Sequence, residues 1–189
     1  KSSLFSNHLN LTFSVDSENV QKTFKYKMRD KISVQFPRLR ECEKANITLN
    51  HTWTIQMNVV NSNIKPADDD ITLVTQADVS RINRLQDLLM YWTGPISAAL
   101  YVPANETETT IKIVTSMCGS CSNIAVHFLL NDNQTGLYYP PNLLRNIAVN
   151  GSQTAFLFLV DIDFIPSVNA NDMLKKYLPN LKSKEMLLT

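Results

Sequence analysis

At 189 residues, with 44 % hydrophobic and 19 % charged side chains, the chain is long enough for one sizeable core and too apolar for a disordered segment. Its net charge of +1, with Lys and Arg scattered, excludes nucleic-acid binding driven by a basic surface, so an anionic small partner has to be held by a local site. No apolar run approaches the roughly 20 residues that span a bilayer, and with Lys1 at the first position any signal peptide or membrane anchor is expected outside this sequence.

Residues 1–68 show weak periodicity and many Asn, and read as an N-terminal extension that is partly strand. Within it, the alternation in Trp53-Thr54-Ile55-Gln56-Met57-Asn58-Val59 predicts a strand with Trp53, Ile55, Met57 and Val59 on one face. The acidic run Asp68-Asp69-Asp70 marks a boundary, and a second unit is expected over residues 69–189. Ile71-Thr72-Leu73-Val74-Thr75 is a β-branched strand followed by Gln76-Ala77-Asp78. Asp78 or Ser80 is placed to cap a helix carrying Ile82, Leu85, Leu88 and Leu89. Gly94-Pro95 ends that helix, and Ile96 to Val102 is an apolar strand stopped by Pro103.

Residues 109–117, with Ile111, Ile113 and Val114, fit either a strand or a short helix. Ile124 to Leu130 is again a strand, and Pro141 to Ala148 a helix opened by its proline. The nearly continuous apolar run from Thr154 to Val160 predicts a central strand buried on both faces. A last short helix over 170–178 is closed by Pro179. Strand–helix–strand alternation of this kind predicts an α/β fold with a mostly parallel sheet flanked by helices. Ligands of such sheets bind at the carboxyl ends of the strands, which points to the loops after Thr75, Val102, Leu130 and Val160.

Asp161-Ile162-Asp163 directly follows the last apolar strand. Side chains two apart in extended backbone point the same way, so the two carboxylates repel each other and a cation would relieve them. Oxygen ligands suit Mn²⁺ or Mg²⁺, ions that bridge protein carboxylates to substrate phosphates. Asp-x-Asp by itself is a weak signal, and a solvated strand end is the plain alternative.

Six Asn-x-Ser/Thr acceptors (Asn10, Asn46, Asn50, Asn105, Asn133 and Asn150) stand against roughly three expected by chance, and several lie beside turns. They favour the secretory pathway. Cys42, Cys118 and Cys121 permit at most one internal disulfide, so the chain is not a disulfide scaffold. Cys118-Gly119-Ser120-Cys121 invites a redox reading, but a low-pKa cysteine needs a helix N-terminus and the residues from Asn123 onward read as strand. A local disulfide, or a bridge from Cys42 to one of the pair, accounts for these cysteines better.

Three stretches in this order resemble the LARGE-like glycosyltransferases, glycosyltransferase family 49, which includes glucuronyltransferases of dystroglycan glycan assembly. They are Trp92-Thr93-Gly94-Pro95-Ile96-Ser97-Ala98-Ala99-Leu100-Tyr101, Tyr139-Pro140-Pro141-Asn142-Leu143-Leu144-Arg145-Asn146-Ile147-Ala148, and Phe158-Leu159-Val160-Asp161-Ile162-Asp163-Phe164-Ile165-Pro166-Ser167. The resemblance covers about residues 71–178. It implies a GT-A, Rossmann-like fold that binds a UDP-sugar, with Mn²⁺ (or Mg²⁺) held against the diphosphate. By that pattern Asp163 is the direct metal ligand, Asp161 contacts the metal or the ribose, and Thr75 and Gln76 lie by the nucleotide. The resemblance further implies transfer of glucuronic acid from UDP-glucuronic acid to a glycan or glycoprotein acceptor with inversion, in a type II membrane protein of the Golgi lumen.

Arg145 is placed to reach a diphosphate or a sugar carboxylate with its planar fork; pairing with Asp161 or Asp163 is the structural alternative. Trp92 and Tyr139 are expected to pack rather than to stack on sugar. The sequence departs from the family pattern in two ways. The family's catalytic domain continues into an acceptor-binding half, whereas 26 residues follow Asp163 here, so the resemblance implies a donor-binding half. A late histidine commonly completes the metal shell in such enzymes, whereas His8, His51 and His127 all precede the motif, and His127 is expected to be a satisfied or surface strand residue. The alternative function is a non-catalytic nucleotide- or glycan-binding protein of the same fold, lumenal or secreted.

Overall fold

The computed structural model describes residues 11–13, 22–27, 52–67, 69–118, 123–131 and 139–179, with backbone alone for 11–13, 22–27, 52 and 118. Seven strands form one sheet: β1 (Leu11–Phe13), β2 (Lys22–Lys27), β3 (Thr52–Val60), β4 (Ile71–Asp78), β5 (Ile96–Pro103), β6 (Ile124–Asn131) and β7 (Phe156–Leu159). Their order is β1-β2-β3-β6-β5-β4-β7. The block β6-β5-β4-β7 is parallel throughout, and β3, β2 and β1 extend it antiparallel. Four helices flank it: α1 (Arg84–Tyr91), α2 (Thr107–Cys118), α3 (Pro141–Gly151) and α4 (Ala170–Lys175). The fold is therefore α/β with the Rossmann-like order that a GT-A resemblance implies. No helix among the described residues is long and apolar enough to cross a membrane.

Alternation along the parallel strands divides the core into two layers. Leu73, Ala77, Leu100, Val126 and Phe128 face α1, α2 and α4, where Leu85, Leu88, Trp92 and Val114 are buried. Truncating one of these leucines to alanine costs about 2–5 kcal/mol. Trp92 donates from Nε1 to the Pro95 carbonyl at 3.0 Å and stacks on Phe158 at 5.5 Å, the packing role expected of it. Val74, Ala99, Tyr101 and Leu129 face α3, which contributes Leu144, Ile147 and Ala148. Pro141 opens α3 in its first turn, where its missing N–H has no helical partner to lose.

Several expectations are corrected. Among the described residues the run from Thr154 to Val160 is not a central strand. β7 begins only at Phe156, is the last strand of the sheet among the described residues, and leaves Leu157 and Leu159 42 % and 54 % exposed. Thr154 instead uses its hydroxyl on the Phe156 carbonyl (2.8 Å) and against Thr72 Oγ1 (2.6 Å), which holds the chain out of the ladder. An apolar run reports burial tendency but not the number of neighbours a strand has.

β4 does not end at Thr75. It continues to Asp78 because β5 pairs with it as far as Tyr101, and ladder pairing overrides the weak strand preference of Gln76-Ala77-Asp78. A 3-10 turn, Val79–Arg81, follows, so neither Asp78 nor Ser80 caps α1; the Ser80 hydroxyl bonds the Asp78 carboxylate instead. Residues 109–117 are helical, inside α2. In β3 the one-face pattern breaks at a bulge between Gln56 and Val60. Asn58 takes a left-handed conformation there (φ 55°), and Val59 packs with the other core layer, away from Trp53, Ile55 and Met57.

Candidate functional site

The carboxyl rim of the parallel block gathers charge from three elements. Asp78 ends β4 and Arg81 closes the turn after it; Arg145 projects from the second turn of α3; Asp161 and Asp163 follow β7. The backbone turns at the motif, with the Phe164 N–H bonded to the Asp161 carbonyl at 3.0 Å, so the pair sits on a turn rather than on extended chain. Ile162 is buried between them, and both carboxylate side chains are 50 % exposed. They still share the outer side, because the residue between them is drawn into the core.

Each carboxylate has an arginine. Arg145 Nη2 meets Asp161 Oδ1 at 2.8 Å, the pairing alternative for that arginine, and Arg81 pairs with Asp163. Exposed pairs of this kind contribute about 0.2–1 kcal/mol, so they are readily exchanged for a better partner. Beside Asp161 opens a cleft of about 460 Å³, lined by Arg145, Phe158, Leu159, Phe164 and Ile165. Its shape offers an apolar wall with a charged end.

Tyr139 stands within reach of Asp78, Arg81, Arg145 and Asp161. Its ring lies edge-on to Tyr101 at 5.8 Å. Burial, then the Asp78 carboxylate, push its phenol up to about 12 against the opposing pull of Arg81 and Arg145, so it stays a neutral donor at physiological pH. Behind the rim, Thr75 and Gln76 lie inside β4, paired with Ala98 and Ala99. Both are buried, and Thr75 Oγ1 and Gln76 Oε1 have no hydrogen-bond partner among the described residues. Gln76 shares the α3 face with Asp78, whereas Thr75 turns to the opposite layer.

His127 plays no part at this rim. It is fully buried on β6, where Nδ1 accepts from the Asn58 N–H at 2.9 Å and Nε2 faces Ser97 Oγ at 3.0 Å. Ser97 in turn donates to the Ala148 carbonyl at 2.6 Å. The chain of donors assigns the ring proton to Nε2, and burial pushes the imidazole down to about 4.

Among the described residues no group of three or more His, Cys, Asp or Glu side chains can hold a metal ion. What the rim offers is a two-carboxylate set, which suits a hard ion that fills the rest of its shell with water and phosphate oxygens. Sequence reasoning missed Arg81 and treated Asp78 only as a cap. The signal was available in the rule that residues following a parallel strand face the ligand crevice, had β4 been carried to Asp78.

Of the glycosylation candidates, Asn105 and Asn150 are exposed, on the turn after β5 and in the last turn of α3. Asn10, Asn46, Asn50 and Asn133 lie outside the described residues, as do Cys42 and Cys121. Cys118 ends α2, so no helix N-terminus starts there.

A family model described as "Glycosyl-transferase for dystroglycan" matches residues 70–133 and 129–188. Xylosyl- and glucuronyltransferase LARGE1 of Homo sapiens is 32 % identical over 166 residues, covering 86 % of this chain and 20 % of that protein. LARGE1 of Danio rerio is 31 % identical over 170 residues, 88 % of this chain and 21 % of that protein. Xylosyl- and glucuronyltransferase LARGE2s of Gallus gallus is 34 % identical over 119 residues, 62 % of this chain and 16 % of that protein. The chain thus spans about a fifth of the length of the curated relatives it matches. With that model lying over the parallel block and the acidic turn after β7, the chain belongs to the LARGE-like family of glycosyltransferases.

Proposed function

We propose that this chain is the donor-binding region of a metal-dependent glycosyltransferase that moves a sugar from a UDP-sugar to a glycan acceptor. UDP-glucuronic acid is the expected donor. The carrying observation is the pair Asp161 and Asp163, half exposed on one turn at the carboxyl rim of the parallel block, with Asp161 lining an open cleft. The relatives' names, xylosyl- and glucuronyltransferase, support the reaction class.

In this reading Asp163 holds Mn²⁺ or Mg²⁺ directly, and Asp161 contacts the ion or the ribose. The ion, when bound, neutralises charge that develops on the diphosphate leaving group. Arg145 lines the cleft and offers two parallel donors to a pair of anionic oxygens. Gln76 Oε1, buried and unpartnered, supports an acceptor role toward a nucleotide N–H. Thr75 adjoins Gln76 on β4, but its hydroxyl turns to the opposite layer and does not share the Gln76 face. Residues 69–189 form the donor-binding unit and 1–68 its N-terminal extension. A Golgi-lumen setting fits the exposed acceptors Asn105 and Asn150.

The test is UDP release from UDP-glucuronic acid and from UDP-xylose in Mn²⁺, against Asp163→Ala and against chelated protein. Release that needs the cation and falls about 100-fold or more in the variant supports the reading. Cation-dependent UDP binding without turnover reduces it to a donor-binding module. Equal behaviour of the wild type and the variant overturns it.

A further inference from the structure

The rim holds an imbalance that bears on how a nucleotide diphosphate enters. Asp78, Asp161 and Asp163 stand at this rim with two guanidiniums, Arg81 and Arg145, so one negative charge is in excess there. A diphosphate approaching this rim alone meets net repulsion. With a divalent cation present the balance becomes positive by one, and the same approach is favourable.

We propose that Arg81 is a phosphate-binding residue that works by counter-ion exchange: it holds Asp163 in this structure and is released to the donor's diphosphate when that carboxylate turns to a divalent cation. The proposal rests on the donor-binding reading above and adds to it a residue and an order of events. Arg81 is suited by position, since it follows β4 at the rim and is about half exposed, free to swing without unpacking a core. The exchange starts from an exposed ion pair, which is weak. It ends on a phosphate, which the planar guanidinium matches with two donors. Arg145, on α3, has the same relation to Asp161, so two carboxylates are released together and two guanidiniums become available together. Cation and nucleotide diphosphate then bind synergistically, each weak without the other.

The plain alternative is a latch, in which Arg81 only ties the Asp161–Asp163 turn to the end of β4. The two predict opposite signs for one measurement. Mn²⁺ is titrated into the full chain by electron paramagnetic resonance, with and without UDP, for wild type, Arg81→Ala and Arg81→Lys. Under exchange, Arg81→Ala binds Mn²⁺ alone about two- to fivefold more tightly than wild type, because its competitor is gone. The same variant binds UDP in saturating Mn²⁺ about tenfold more weakly. Arg81→Lys keeps the competing charge and loses the fork, so Mn²⁺ binding stays near wild type while UDP weakens. Should Arg81→Ala not fold, the lysine variant carries the test alone: unchanged UDP affinity there overturns the proposal. Weaker Mn²⁺ binding in Arg81→Ala, or UDP affinity unchanged, also overturns it and leaves the donor-binding reading standing. A wild-type chain that binds neither Mn²⁺ nor UDP in any combination removes that reading and the exchange with it.

Discussion

Two polar clusters lie along α3, and they are built in opposite ways. Around His127 every polar atom that the ring touches is matched: Asn58 N–H, Ser97 hydroxyl and Ala148 carbonyl form one closed chain inside the core. At the rim, charges from β4, α3 and the turn after β7 meet in pairs that are half exposed, beside a cleft and in front of the unpartnered Gln76 side chain. A satisfied buried network fixes a structure, whereas weak pairs and orphaned acceptors leave free energy for a ligand to collect. The contrast separates the histidine that holds the fold from the carboxylates that are free to act.

The largest effect expected of that contrast is at Gly151. A Cβ there would lie 1.9 Å from His127 Nε2, and the ring is held at both nitrogens and cannot yield. Gly151→Ala should cost about 3 kcal/mol or more in urea unfolding. A loss below ~1 kcal/mol would show that the network is looser than described.

Next comes pH. His127 has a folded value near 4 against 6.5 for the free group, so the unfolded chain binds the proton more readily. The stabilisation is complete above 6.5 and is lost as pH falls toward 4, by up to about 3 kcal/mol. His127→Gln, which has nothing to titrate in that window, should flatten this part of the profile. An unchanged slope would assign the acid sensitivity elsewhere.

A smaller effect, of opposite sign, is expected at Thr75. Its hydroxyl is buried without a partner, so Thr75→Val should stabilise the ligand-free fold by about 1 kcal/mol. Smallest of all is the effect of Asp161→Asn and Asp163→Asn on stability, within about 0.5 kcal/mol, because exposed pairs contribute little.

Legibility in the sequence followed the physics of each signal. The α/β alternation, the proline start of α3 and the acidic motif at the rim could be read because each has a local cause: strand and helix periodicity, a missing N–H, a carboxylate pair after an apolar run. The reach of β4 to Asp78 could not, since it depends on the β5 ladder rather than on Gln76-Ala77-Asp78 themselves. Likewise β7 as an edge strand, and the phase change at Asn58, are set by neighbours that local pattern does not report. Arg81 was missed for the same reason, because its significance begins only once the strand end is placed correctly.

The central claim is that Asp161 and Asp163 grip a divalent ion that receives a nucleotide diphosphate. It is tested most directly by calorimetric titration of UDP into the chain, with Mn²⁺ and with chelator. The account predicts binding that requires Mn²⁺ and disappears in Asp163→Ala while the fold is retained. Equal UDP affinity with and without the ion, or in the folded variant, would contradict it.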